Sequence, residues 1–390
     1  MTSTPVNPPR ARSLSWAPLV AQTALVAVIA TLAYGAWTNV TAHMRAQGVP
    51  TGFGFWNQTA GFDINLSLID YSSLATYGRA FWVGLLNTAM VGALGILFAT
   101  PLGFLVGVAR LSPNWLLSRL AFAYVELMRN TPLLLQLLFW YNAVLKALPG
   151  PKQSYALGDW LFLNNRGLYL PKPIADAGAS PFAAAFVAAI AVSFVLWLRA
   201  RAKRDATGAG GAVLAPSVIL IAALPLLAAF IFGPPFTLDF AKLSGFNLRG
   251  GLQLYPEFAA LVFGLVVYTA GFIAEIVRAG VLATPKGQNE AAAALGLSRG
   301  LSLRLVVVPQ AMRLIIPPLA SQWLNIVKNS SLAVFIGFPD LVQIFAGTVL
   351  NQTQAAMQVM AITMGVYLAI SLLLSGALNA FNARYAFKER

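Results

Sequence analysis

Cysteine is absent from this chain of 390 residues, which excludes a disulfide scaffold, a thiol nucleophile and thiolate-bound metal. One histidine, His43, stands alone, so a histidine-rich metal site cannot form, and its position outside the apolar runs argues against a serine–histidine partnership within them. Charge is scarce as well: 10% of residues are charged, against about 25% in soluble domains. What fills the space is apolar, 58% hydrophobic residues with a mean hydropathy of +0.72. So little charge cannot cover a globular surface in water, and much of the chain's solvent must be lipid. No Gly-x-x-x-x-Gly-Lys-Ser/Thr run occurs, which excludes a phosphate-cradling loop of the P-loop type. The net charge of +14 falls mostly in short loops between apolar runs. That pattern reads as topology control rather than nucleic-acid binding.

A helix needs about 20 apolar residues to cross a hydrocarbon core of about 30 Å. Runs at 17–37, 83–109, 120–147, 181–198, 214–233, 256–277, 314–337 and 356–380 meet or approach that length. Lipid leaves backbone groups no water to bond, so these runs must be helical. The sequence therefore predicts an all-α polytopic membrane protein with about eight transmembrane helices. The first run, between Trp16 and Trp37, follows Arg10 and Arg12 as a signal peptide would. It is too apolar for too long, and no small-residue cleavage site follows, so it reads as a retained anchor.

Eight spans put both termini on one side. That side carries sixteen basic residues, among them Arg110, Arg119, Arg199, Arg201, Lys203, Arg204 and five between 278 and 313. The other carries seven, and this bias predicts that both termini and the 278–313 segment are cytoplasmic. The chain then divides into five regions: 1–82 (tail, anchor and outer loop), 83–147, 148–255, 256–381, and a basic tail at 382–390. The outer stretches 38–80 and 148–180, rich in Gly, Pro, Asn and aromatics, read as ordered caps with short amphipathic pieces. Residues 200–213 read as a flexible inner linker.

Within 278–313, the run 287–295 predicts a helix. Alanine is the best helix former, and Glu290 in a first turn would complement the helix dipole. Gly296 suits the left-handed position that ends such a helix. A second helix can start with Ser302 as its N-cap and run to a break at Pro309. The alanines leave a low ridge that another protein's groove could approach closely. Spacing alone does not separate such a docking element from an ordinary solvated hairpin loop.

Glu290-Ala291-Ala292, with Gly296 six residues and Pro309 nineteen residues after the glutamate, resembles the cytoplasmic signature loop of ABC importer permeases. Val306 and Val308 stand where isoleucine and leucine are usual, and keep apolar volume. Asn87-Thr88, Val125-Glu-Leu-Met-Arg-Asn-Thr-Pro132, Ala274-Glu-Ile-Val-Arg-Ala-Gly280, Pro309-Gln310 and Lys328-Asn-Ser-Ser331 are similar to the histidine, glutamine and general L-amino-acid permeases. The likeness spans about 83–147 and 256–381. The extra first span and the insertion at 150–250, with two further spans, resemble the general L-amino-acid subgroup.

The resemblance implies a type I importer permease core that translocates L-amino acids across the bacterial inner membrane. Its partners would be a second, similar or identical permease, ABC ATPase subunits and a periplasmic solute-binding protein. The chain would then be a transport subunit rather than an enzyme, binding no cofactor, with ATP and Mg on the partner ATPase. Glu290, Ala291, Ala292, Gly296, Arg299 and Pro309 would form the ATPase-coupling element.

Intramembrane charges are costly and therefore functional candidates. Glu126 and Arg129 lie early in the third span, and Glu275 and Arg278 late in the sixth. Both pairs fall within roughly 10 Å of the same surface at 1.5 Å per residue. They could be two local pairs, or a crossed cluster of Glu126 with Arg278 and Arg129 with Glu275 tying two helices near an inner gate. Lys328, Asn329, Ser330 and Ser331 could meet a substrate carboxylate or satisfy a broken helix from neighbouring spans, and Asn87 and Thr88 could line the same path or serve as polar glue between helices. Pro132, Pro317 and Pro318 read as helix kinks or starts. An ion-coupled secondary transporter is the alternative, but the Glu-x-x-Arg echo is too short for an inverted repeat.

Overall fold

The computed structural model describes residues 16–46, 48, 52–207 and 213–385. The basic residues Arg10, Arg12, Lys388 and Arg390 lie outside the described residues. In chain order the helices begin with α1 (Trp16–Ala46), α2 (Tyr77–Arg110), α3 (Trp115–Asn130) and α4 (Leu133–Leu138), the last continuing as a π-helical stretch, Phe139–Leu145. Four short strands come next: β1 (Tyr155–Leu157), β2 (Leu161–Asn164), β3 (Gly167–Leu170) and β4 (Lys172–Ala175). After them stand α5 (Ala179–Thr207), α6 (Leu214–Phe232), then β5 (Phe236–Asp239), β6 (Lys242–Ser244), β7 (Asn247–Arg249) and β8 (Leu252–Leu254). The chain closes with α7 (Pro256–Leu282), α8 (Lys286–Ala294), α9 (Arg299–Ser302), α10 (Val308–Asn329), α11 (Leu350–Thr353) and α12 (Ala356–Tyr385).

Among the described residues, seven helical runs are long and apolar enough to cross a membrane. The expected third span, 120–147, is not one helix. Pro132 breaks it into α3 and α4, because proline lacks an N–H and its ring clashes with the preceding turn. The amide of Gln136 fills the gap, donating to Met128 O at 3.2 Å and Thr131 O at 3.1 Å. Pro101, Pro225, Pro317 and Pro318 by contrast sit inside α2, α6 and α10 without ending them. The insertion contributes strands that hydropathy did not announce. β1-β2-β3-β8 form an antiparallel sheet, β4 and β5 pair antiparallel from either side of the α5–α6 segment, and β6–β7 is a separate hairpin. Phe162 faces Tyr169 across β2 and β3, and Tyr169 packs with Ala241 and Leu248 in a small core.

The chain divides into two compact units, residues 1–90 with 339–390, and residues 91–338. In the first, Phe55, Tyr77, Phe81, Leu341, Phe345 and Val359 build the core, with Phe81 edge-on to Phe345 at 5.3 Å. In the second, α7 is the hub: most of its apolar length is buried, whereas most of that of α5 and α6 is exposed. The C-terminal half of α2 meets α7 at Gly103 and Gly107, four apart as in the small-x-x-x-small pattern of membrane helix pairs. A Cβ on Gly103 would lie 2.5 Å from Ile273 Cβ, and one on Gly107 2.8 Å from Ala274 O. Neither neighbour can swing away, since one is a branched core side chain and the other is backbone.

Gly107→Val should therefore cost about 1–3 kcal/mol by overpacking. The check is thermal unfolding of the purified chain in detergent, where its midpoint should fall by several degrees. Gly365→Ala, whose new Cβ would meet nothing within 4 Å, should leave the midpoint unchanged.

Candidate functional site

The segment between α7 and α10 is built around α8. Pro285 precedes it, and it ends in a Schellman turn, with Gly296 N–H to Ala293 O at 2.9 Å and Leu297 N–H to Ala292 O at 3.1 Å. This turn needs Gly296 in the left-handed region, and its φ is +74°. Glu290 lies in the second turn of α8 rather than the first, because the helix starts at Lys286. Ala292 is buried and faces inward, while Glu290, Ala291, Ala294 and Leu295 form the exposed ridge. Leu295, 81% exposed, is a large apolar side chain with little over it among the described residues.

Two side-chain bonds fasten α8 to the downstream helices: Ser302 Oγ donates to Asn289 Oδ1 at 3.2 Å, and Gln310 Nε2 to Gln288 Oε1 at 3.1 Å. Beside them lies a groove of about 370 Å³ lined by Asn289, Ala293, Leu297, Ser302 and Leu303. Ser302 is thus not the N-cap of the next helix. That helix opens after Ser298, whose hydroxyl lies 3.5 Å from Leu301 N, and the buried Ser302 hydroxyl is used against α8 instead. Pro309 does not break the chain either. A π-helical stretch, Leu303–Val307, absorbs the lost N–H, and helical structure runs from Gly300 to Ile336. The backbone of Arg299 begins α9, while its side chain lies outside what is described.

Glu275 gathers the intramembrane charges. It pairs with Arg110 at the end of α2 and with Arg278 one turn along α7 at 2.6 Å, and Arg129 of α3 stands 3.9 Å away. Arg110 and Arg129 also lie over the rings of Phe122 and Phe272, at 5.4 and 5.7 Å. The crossed cluster is therefore only half assembled. Glu126 accepts from Asn130 Nδ2 at 3.0 Å and makes no ion pair with Arg278. Arg110, which the sequence placed in a loop, instead joins Arg129 and Arg278 on Glu275 from the last residue of α2.

Asn87 and Thr88 are fully buried. Asn87 Nδ2 donates to Leu66 O and Pro339 O, each at 2.8 Å, and Thr88 Oγ1 accepts from Leu341 N at 3.0 Å while donating to Gly84 O. Both act as staples in the first unit. Ser330 and Ser331 donate to Val327 O and Lys328 O, turning their hydroxyls onto the backbone where α10 ends at Asn329. Lys328 is exposed and forms no ion pair among the described residues. Next to the staples, and outside the apolar spans, lies Asp340, a buried acid that hydropathy gave no reason to notice. It accepts from Gln343 N at 2.8 Å, as a helix N-cap does, and from the Tyr367 hydroxyl at 3.2 Å. Burial outweighs these bonds and pushes its carboxyl up to about 7.

Comparison with known proteins places this geometry. Residues 200–386 match the family described as the binding-protein-dependent transport system inner membrane component. A putative amino-acid ABC transporter permease of Escherichia coli is 50% identical over 94% of each chain. The chain belongs to the amino-acid ABC transporter permeases. The general L-amino acid transport system permease AapQ of Rhizobium johnstonii is 48% identical over 90% of this permease and 88% of its own length. The glutamate/glutamine/aspartate/asparagine transport system permease BztB of Rhodobacter capsulatus is 39% identical, over 90% and 89%. The permease is thus a multi-pass membrane protein and a transport component. The Gly103-x-x-x-Gly107 pair was a readable signal for its helix packing that hydropathy passed over.

Glu275→Gln would leave three guanidiniums of the permease around a neutral amide. It should cost on the order of 1–3 kcal/mol, since hydrogen bonds to charged groups are worth about that. Glu126→Gln should cost about 0.5 kcal/mol or less. Equal unfolding midpoints for the two variants would remove Glu275 from the centre of the cluster.

Asp340 holds its proton more tightly in the folded chain than in the unfolded one, where a carboxyl titrates near 4. Its contribution to stability is therefore complete below about pH 4 and is lost as pH rises to about 7. Asp340→Asn keeps the cap on Gln343 and should flatten this part of the stability–pH profile. An unchanged slope between pH 4 and 7 in thermal unfolding would refute the assignment.

Proposed function

We propose that this permease carries L-amino acids inward across the bacterial inner membrane, driven by separate ATPase subunits that grip α8. The observation that supports this most directly is the α8 ridge. It is a polar helix, rigidly capped and exposed on one face, in an apolar chain with no nucleotide-binding loop of its own. ATP and Mg would sit on the partner ATPase. A second, similar permease would complete the pathway, and a periplasmic solute-binding protein would deliver substrate. Both termini and α8 would face the cytoplasm, as the excess of lysine and arginine on that side supports. The core would comprise 83–147 and 256–381, with 148–255 as an insertion. The names of the relatives favour a broad L-amino-acid range, AapQ being a general L-amino acid permease.

ATP binding would close the ATPase pair and push on Glu290, Ala291 and Leu295. The load would pass through the Asn289–Ser302 and Gln288–Gln310 bonds into the helix running to Ile336. The cavity between permeases would then open outward, and would face inward without nucleotide. Membership of an ABC permease family sets the ion-coupled alternative aside.

Gly296 offers the test. A side chain there would meet nothing within 4 Å, so any penalty comes from its φ of +74° and not from a clash. Gly296→Val should abolish ATP-driven amino-acid uptake in proteoliposomes holding the full transporter, while membrane insertion stays normal. Gly296→Asn, which tolerates the left-handed region, should retain most uptake. Normal uptake by the valine variant would defeat the coupling role. Uptake that survives ATP depletion but stops with an uncoupler would defeat the ATP-driven reading altogether.

A further inference from the structure

The inserted helices α5 and α6 pack chiefly against each other, and their outer faces are apolar and exposed. About 20 helical residues cross the hydrocarbon. Starting at Ala179, α5 therefore reaches the headgroup level near Trp197 and carries Arg199, Arg201, Lys203 and Arg204 on its last turns. Leu214 begins α6 close to the same level, and between the two helix ends lies a cleft of about 450 Å³. Arg201 and Arg204 supply its charge, and Trp197, Ala200, Val213 and Leu214 its apolar wall. Asp205 borders it too, but among the described residues neither arginine forms an ion pair with it or with any other acid. Arg201 is held over the Trp197 ring at 5.5 Å, and Trp197 stacks on Phe194 at 5.9 Å.

We propose that this cleft binds the headgroup phosphate of an anionic phospholipid. Two guanidiniums with no acidic partner among the described residues match a phosphate's oxygens by paired N–H donors, and their positive charge complements it. Trp197 and Leu214, 47% and 80% exposed, continue the cleft toward the hydrocarbon, where an acyl chain would lie along Phe194. A soluble anion would use only the charged half of such a site, whereas a lipid uses both. Basic residues that merely set topology or offset the helix dipole would need no cleft. In that case Arg199 and Lys203, which do not line it, would matter as much as Arg201 and Arg204.

Native mass spectrometry of the full-length permease in detergent, titrated with phosphatidylglycerol, separates these cases. The wild type should retain phosphatidylglycerol in preference to phosphatidylcholine. The double variant R201Q/R204Q should bind it roughly tenfold or more weakly. R199Q/K203Q, which removes the same charge from the same helix end, should bind within about twofold of wild type, and Trp197→Ala should weaken binding without removing charge. Equal losses in the two double variants would overturn the proposal. So would equal retention of the two lipids, or displacement of the lipid by millimolar inorganic phosphate. Circular dichroism and monodispersity of each variant identify any that fails to fold. Arg201→Lys, which keeps the charge but not the paired donors, then supplies an intermediate loss if the cleft is the site.

Discussion

In hydrocarbon a backbone amide or carbonyl has no water to turn to, and the rest of this structure depends on that constraint. It makes the spans helical, and it also dictates what happens where a helix cannot continue. Pro132 frees carbonyls between α3 and α4, and the Gln136 amide takes both Met128 O and Thr131 O. Ahead of Pro309 the chain widens into a π-helical stretch, so that helical structure is kept on both sides of the proline. The glutamine and the π turn are two solutions to one problem. One places a bend in the chain, and the other keeps a long helix continuous.

Lipid also removes the ordinary reason for helices to pack, since a neighbouring helix is no more apolar than the acyl chains. Close approach and polar bonds must do it instead. Around α7 both are present. Gly103 and Gly107 let α2 come down onto Ile273 and Ala274, and at the cytoplasmic level expected for α7's end Glu275 ties Arg110 to Arg278 with Arg129 nearby. One carboxylate thus serves side chains from α2, α3 and α7. Removing it would strand three cations, whereas removing any one arginine leaves the carboxylate partnered. The burden of the cluster therefore rests on the glutamate. The first unit uses neutral staples for the same purpose: Asn87 and Thr88 hold the backbone at Pro339 and Leu341 without bringing a charge into the core.

The sequence was most legible where a local rule decides the outcome alone. The limits of α6, expected at 214–233, fall at Leu214–Phe232, and the left-handed position of Gly296 comes from the need to end an alanine helix. It was least legible where a residue had two uses. Ser302 is as good an N-cap as Ser298 by type, and only packing against Asn289 decides between them. Glu126 had Arg129 and Arg278 as candidate partners and bonds Asn130 instead, while both arginines stand on Glu275 together with Arg110 from the end of α2. The strands of the insertion were hidden for another reason. They are three or four residues long, and pairs such as Phe162 with Tyr169 are set by neighbours rather than by an extended alternation.

A helix as short as α8 is marginal by itself, since isolated helices need about 12–15 residues to persist in water. Its nine residues are held by a buried Ala292, a Schellman turn, and side-chain bonds to Ser302 and Gln310. Those fastenings are the same elements through which a push on its outer face would have to travel. Stability and transmission therefore cannot be separated at this site. Any change that loosens α8 enough to melt it also disconnects it from the helix ending at Ile336. A rigid α8 on a stiff continuation would carry a displacement poorly if nothing yielded. The π-helical stretch at Leu303–Val307, between the fastening at Ser302 and the proline at 309, is the first place in that run where backbone bonding is already irregular. Under the proposed coupling role it is where a rotation of α8 arriving through Ser302 would be taken up, while the Gln288–Gln310 bond holds α8 to α10 directly.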